Sequence, residues 1–252
     1  MYPIEEFLDK TERAPLLFTP TPLHLLTGFS KYEEVQVYIK RDDMTGIGPG
    51  GNKIRSLEYI LGEAIEKGCK KILTAGPAQS NLCTLTAAAC ARLGLDCELV
   101  HNGVEPEKKE GNLLLNQILG TVSHFLGDCD SEKRNSYTEK LSEKYEKEGI
   151  SSYVVRNGAT TGRGALGYTS AVREMKKQCE EMGIKDMTIF APGGNGGVAA
   201  GLIYGNEMLG RPFHIVIISV EDERETLIHH IEKTIHETEE ITGLIMNCLL
   251  YT

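Results

Sequence analysis

Three short stretches of the chain combine side chains and glycines in ways that do chemistry. The first is Gly50-Gly51-Asn52-Lys53, in which a lysine opens a stretch of helical periodicity. The positive end of a helix dipole disfavours a cation there, so the position asks for compensation. A lysine amine covalently committed to a carbonyl cofactor would supply it; a solvated surface lysine is the plain alternative. The second stretch is Gln79-Ser80-Asn81. Its side chains and the helix-end N–H groups behind them could hold a carboxylate or a cofactor hydroxyl, or could do no more than cap a helix. The third is Ala191-Pro192-Gly193-Gly194-Asn195-Gly196-Gly197. Glycines admit positive φ and a close backbone approach, so free N–H groups there can converge on an anion and cradle a phosphate. A glycine-rich turn that only reverses the chain is the alternative, and the loop is neither a dinucleotide fingerprint nor a Walker loop.

Other chemistries have less support. Ser80 lacks the G-x-S-x-G setting of a hydrolase nucleophile. Asp42-Asp43 reads as a polar turn after a strand before it reads as an acid pair. His229-His230 stands without HExxH or a Cys/His cluster, so no metal is expected.

The elements that must position these residues follow from periodicity. A strand is expected at Val35–Ile39, then a helix from Ile54 to Lys67 stopped by Gly68 and a strand at Lys71–Thr74. An Ala-rich helix from Leu82 to Leu93, capped by Ser80 or Asn81 and closed by Gly94, leads to a strand at Cys97–His101. Residues 105–149 read as helical and highly charged, and Tyr153–Val155 as a strand. A helix from Leu166 to Met182, a strand at Met187–Phe190, a helix at Val198–Leu209 and an apolar strand at His214–Val220 complete the pattern, with no internal repeat. Strands alternating with helices call for parallel sheets with crossover helices on their faces, an α/β fold.

With 252 residues and 40% hydrophobic content the chain can bury one large core or two smaller ones. Its net charge of -9, without a basic block, argues against nucleic acid as a partner. Neither a signal peptide nor a membrane-spanning run is visible, so a cytoplasmic protein is expected. The 7 cysteines match no disulfide framework and read as reduced, mostly buried small hydrophobes.

Taken together, the motifs resemble one family. Lys40-Arg41-Asp42-Asp43-Met44-Thr45-Gly46, then Gly50-Gly51-Asn52-Lys53-Ile54-Arg55-Ser56-Leu57-Glu58-Tyr59, resemble the lysine segment of the D-cysteine desulfhydrases and aminocyclopropane-carboxylate deaminases. Gln79-Ser80-Asn81, Gly164-Ala165-Leu166-Gly167-Tyr168 and the glycine loop before Ala200-Gly201-Leu202 follow in the family's order. A β-replacing synthase of the cysteine synthase type fits the lysine segment less well.

The resemblance implies the second fold type of pyridoxal-phosphate (PLP) enzymes, tryptophan synthase beta-like. Residues 1–52 and 161–252 would form a larger cofactor-binding domain and 53–160 a smaller one. Lys53 would carry PLP as a Schiff base and serve as the catalytic base, with Ser80 as a second catalytic group. Asn52, Asn81, Gly194, Asn195, Gly196, Gly197 and Val198 would bind the cofactor, and Gln79, Ser80 and Asn81 the substrate. The implied activity is a carbon–sulfur lyase or deaminase acting on a small amino acid, in a possible homodimer. A catalytically degenerate PLP-binding or partner-binding protein is the alternative. Two departures bear on it. Val198 stands where the family has a threonine, and the family continues past the helix equivalent to Glu223–Thr242, so a C-terminally incomplete larger domain and an exposed sheet edge are expected.

Overall fold

Helix–strand alternation resolves into three small sheets flanked by helices in the computed structural model, which describes residues 1–33 and 35–246. In chain order the first elements are α1 (Pro3–Lys10), β1 (Leu23–Leu25), α2 (Thr27–Glu33), β2 (Tyr38–Lys40), α3 (Lys53–Glu66), β3 (Lys71–Ala75), α4 (Asn81–Leu93) and β4 (Asp96–His101). Then come α5 (Gly111–Ile118), β5 (Val122–Phe125), α6 (Ser131–Lys147), β6 (Ser152–Val155) and a 3-10 turn, Asn157–Ala159. The last elements are α7 (Gly162–Met182), β7 (Thr188–Gly193), α8 (Gly197–Met208), β8 (His214–Ser219) and α9 (Arg224–Thr242).

A four-stranded parallel sheet has the order β5-β4-β3-β6, and β7 and β8 form a parallel pair. β1 and β2 pair antiparallel. The expected parallel α/β architecture is present, and its long crossovers are the helices, as parallel pairing requires.

Two apolar clusters hold these layers. One joins Ile54, Leu57 and Leu61 of α3 to Leu85 of α4, Ile72 and Leu99. The other joins Ile4 and Leu8 of α1, Leu166 and Val172 of α7, Leu202 and Tyr204 of α8, and Ile231 of α9. Tyr59 sends α3 into this second cluster as well, so α3 ties the two together. Each fully buried leucine here represents about 2–5 kcal/mol, the usual cost of truncating one to alanine. Gly167 lets α7 cross α3 closely: a Cβ on it would stand 2.2 Å from the Arg55 carbonyl oxygen.

The elements depart from the sequence expectation in three places. The strand expected at Val35–Ile39 begins only at Tyr38, because the Val37 N–H is taken by Ser30 Oγ at 3.0 Å and its carbonyl by Leu26 N. Residues 105–149 are not helical throughout; after Gly120, with φ +75°, the chain enters β5 and pairs with β4. β7 runs on through Ala191 and Pro192 to Gly193, which pairs with Ser219, so the first three residues of the expected glycine loop are strand.

The apolar face of β7 and β8 is largely bare: Phe190 is 69% exposed, Val220 65% and Ile218 51%. Cys69, Cys83, Cys90, Cys97 and Cys179 are buried free thiols, and Cys129 is half-buried and free. Among the described residues no helix is long and apolar enough to cross a membrane. Cys248, read with the other cysteines as a small hydrophobe, falls within residues 247–252, which lie outside the described residues.

Candidate active site

Lys53 is delivered by a tightly folded loop. Gly50, with φ +77°, turns the chain so sharply that a Cβ would stand 1.9 Å from the Asp43 carbonyl oxygen. No side chain fits there, which is why glycine precedes the lysine. Thr45 Oγ1 accepts a hydrogen bond from Gly51 N at 3.1 Å and holds the loop against itself. Lys53 is the first residue of α3, and Asn52 before it makes no side-chain cap. Instead of reaching water, Lys53 Nζ donates to the Gly158 carbonyl at 2.7 Å, across to the 3-10 turn. Burial lowers its pKa below the ordinary lysine value, and the Glu221 carboxylate opposes that shift. A larger fraction of this amine is therefore neutral, the form that attacks carbonyls and takes protons.

Behind Lys53 lies a fully engaged ion network. The Arg55 guanidinium, 1% exposed, makes a bidentate contact with Asp42, Nε to Oδ2 at 2.7 Å and Nη2 to Oδ1 at 2.8 Å. It also donates to both Glu174 oxygens, at 3.0 and 3.2 Å, and to Thr21 Oγ1 at 2.9 Å. Lys40 pairs with Glu174 and donates to Gln178 Oε1 at 2.6 Å. Burial would depress the Arg55 pKa, but the hydrogen bonds and charges of Asp42 and Glu174 outweigh it and hold the group firmly protonated. The Tyr168 hydroxyl lies 3.4 Å from the Asn52 carbonyl and 3.5 Å from Asp42, which links the network to the turn carrying Lys53.

Opposite Lys53 is the glycine loop. Gly196, in the left-handed conformation, caps α8 without any side-chain hydrogen bond. Among the described residues the N–H groups of Gly194, Asn195 and Gly196 have no acceptor. With the free first-turn N–H groups and the helix dipole of α8 they form a receptive anion site.

A cavity of about 590 Å³ joins these parts. Lys53, Asn52, Ser80, Gly194, Asn195, Gly196, Gly197 and Val198 all line it, with an apolar wall that includes Leu82, Met175, Phe190 and Leu202. Ser80 caps α4, its Oγ accepting from Cys83 N at 3.3 Å. Gln79 and Asn81, expected beside it, are not in the cavity wall. Their exposed side chains are spent on the next loop: Gln79 Oε1 accepts from Asn112 N at 2.8 Å and Asn81 Oδ1 from Asn112 Nδ2 at 2.9 Å.

The lining residues that escape a reading of the sequence for site residues include Lys40, Asp42, Thr160 and Glu221. Asp42 reads there as part of a polar turn, because its partner Arg55 and the second carboxylate on Arg55, Glu174, lie on α3 and α7 and no local pattern announces the pairing. Glu221 carries no signal beyond following the β8 strand.

Residues 15–245 match the family described as pyridoxal-phosphate dependent enzyme. The chain is 38% identical over 245 residues to a putative 1-aminocyclopropane-1-carboxylate deaminase of Pyrococcus horikoshii, covering 97% of this chain and 74% of that protein. It is 35% identical over 222 residues to the D-cysteine desulfhydrase of Salmonella paratyphi A, covering 84% and 66%. Among solved structures, an ACC deaminase homologue superposes with a TM-score of 0.89 at 37% identity, over 99% of this chain and 75% of that one. Maize serine racemase, with a TM-score of 0.62 at 18% identity over 85% and 59%, shares the fold, that of the type II PLP enzymes. A lysine amine, a capped helix start and an uncapped glycine loop around one cavity thus coincide with a match over nearly the whole chain, and the chain belongs to the pyridoxal-phosphate dependent enzyme family.

Proposed function

We propose that this protein is a PLP-dependent lyase or deaminase acting on a small amino acid, of the D-cysteine desulfhydrase or aminocyclopropane-carboxylate deaminase kind. The residues present fit the cofactor. A primary amine with a lowered pKa faces an uncapped helix N-terminus across a cavity of about 590 Å³, within the usual range for small-molecule sites. The single observation that carries the reading is this convergence of Lys53, Ser80 and the glycine loop on one cavity.

When bound, PLP supplies an electron-withdrawing ring that stabilises negative charge at the substrate's Cα. Lys53 Nζ would anchor the cofactor, and its amine would serve as the base for the proton at the substrate's Cα. The N–H groups of Gly194 to Val198 hold the phosphate. Ser80 Oγ and the first-turn N–H groups of α4 hold the substrate carboxylate, while Gln79 and Asn81 act less directly, fixing that turn through Asn112. Asn52 shapes the turn that aims Lys53. The apolar wall keeps water from the reacting carbon and limits the substrate to a small side chain.

A division into a larger domain of residues 1–52 and 161–252 and a smaller one of 53–160 belongs to the same reading, supported by the two apolar clusters. So do a cytoplasmic location and a homodimer, the latter open to test by sedimentation. The reading is tested by supplying the purified chain with PLP and assaying 2-oxo acid release. Pyruvate from D-cysteine or 2-oxobutanoate from the cyclopropane substrate supports it. Cofactor binding with no product from any D- or L-amino acid tried would favour the degenerate binding protein.

A further inference from the structure

Two adjacent threonines stand between the 3-10 turn and α7, and they are used differently. Thr161 is the N-cap of α7, its Oγ1 accepting from Gly164 N at 3.0 Å. Thr160 has no such task. Its Oγ1 is shut off from solvent and takes part in no hydrogen bond, although the residue lines the cavity of the site. A buried hydroxyl without a partner costs about 1–3 kcal/mol, so its retention asks for a reason.

Its position supplies one. A Cβ placed on Gly197, the first residue of α8, would stand 3.0 Å from Thr160 Oγ1, and one placed on Gly158 the same distance away. The hydroxyl therefore lies against the start of α8, beside the uncapped N–H groups. The backbone that brings it there is strained. Ala159 is a buried non-glycine residue at φ +56°, next to Gly158 at φ +69°. Such conformations persist where surrounding structure enforces them and concentrate at ligand sites. Here the turn presents the Gly158 carbonyl to Lys53 Nζ and the Thr160 hydroxyl to the glycine loop. At the same loop Val198, an apolar residue, lines the cavity and can donate nothing from its side chain.

We propose that the Thr160 hydroxyl donates a hydrogen bond to the cofactor's phosphate and supplies, from the α7 side of the cradle, the side-chain contact that Val198 cannot make. The proposal rests on the reading of the cavity as a PLP site, and its test separates the two. The intact chain is titrated with PLP and, separately, with pyridoxal, which lacks the phosphate, and binding is followed by absorbance. T160V weakens PLP about tenfold to a hundredfold, the loss of one hydrogen bond to a charged group, and leaves pyridoxal within about twofold of the unaltered protein on the same count. T160S restores PLP binding, and V198T added to T160V recovers part of it. Because T160V removes an unpaired buried hydroxyl, the melting temperature of the cofactor-free protein stays the same or rises. Unchanged PLP affinity in T160V overturns the inference, as does equal weakening of PLP and pyridoxal, which would mark a ring contact or a packing role. Failure of T160S alongside T160V overturns it too. If the unaltered protein captures no PLP, the reading of the site falls and this inference with it.

Discussion

The two ends of the cavity are built in opposite ways. At the lysine end the protein satisfies itself: Arg55 is buried among Asp42, Glu174 and Thr21, Lys40 is paired, and the loop 41–52 is folded back on its own backbone. At the glycine end the N–H groups of Gly194 to Gly196 have no acceptor among the described residues, Thr160 Oγ1 has no partner, and the strands behind are partly bare. The first end fixes a reactive amine without help from a ligand. The second leaves its N–H groups and a hydroxyl open, and the proposed reading puts the phosphate there. Preorganisation and receptivity are thus assigned to different elements, α3 with α7 on one side and α8 with the 3-10 turn on the other.

The largest effect is expected from removing the amine itself. Lys53→Ala should lower 2-oxo acid formation by about 10²–10⁴-fold, the usual contribution of a positioned base, with circular dichroism confirming that the fold persists. Next comes the network behind it. Arg55→Met leaves the half-buried Asp42 without its cation and Glu174 with Lys40 alone, and urea denaturation should report a loss of about 3–5 kcal/mol. A loss below about 1 kcal/mol would show that the lysine end is not held by these ion pairs.

The same network sets an acid limit. Burial raises the Glu174 pKa, but Arg55 and Lys40 reverse this and hold it below the ordinary glutamate value. The stability it contributes is full above the unfolded pKa of 4.5 and is lost as pH falls through the lower folded value. Acid unfolding followed by fluorescence should therefore show a steeper loss below that pH in the unaltered protein than in Glu174→Gln.

The smallest effect is expected where the ends face each other. Glu221 raises the Lys53 pKa against the larger lowering by burial, and a Cβ on Gly194 would stand 2.8 Å from Glu221 Oε2. This carboxylate therefore favours the protonated amine and repels a phosphate. Glu221→Gln should speed PLP capture near neutral pH by about twofold to fivefold, the scale of an exposed charge contact, and move the pH midpoint of capture downward. An unchanged or slower rate in stopped-flow absorbance would remove Glu221 from the site.

How much of this was legible depends on the range of the signal. Elements with local punctuation were readable: Gly68 and Gly94 stop α3 and α4, and Ser80 caps α4 as expected. β5 was not, because Val122-Ser123-His124-Phe125 is short and lies between two helices, the second highly charged; it becomes a strand by pairing with Glu98 to His101. Lys53, Ser80 and the glycine loop stood out because glycine and cap residues declare a special backbone. Asp42 and Arg55 did not, since only the approach of α7, 119 residues on from Arg55, brings Glu174 in as a second carboxylate on the same guanidinium. Thr160 carried no signal in the sequence, and the fold gives the cap of α7 to its neighbour Thr161.

The central claim is that Lys53, and not the second lysine in the cavity wall, holds the cofactor. Lys40 also lines the cavity, but it is paired with Glu174 and bonded to Gln178 and the Thr21 carbonyl. Loading the protein with PLP, reducing with borohydride and mapping peptides by mass spectrometry decides between them. The phosphopyridoxyl mass should be found on the peptide at Lys53; finding it on Lys40, or spread over surface lysines, would contradict the account.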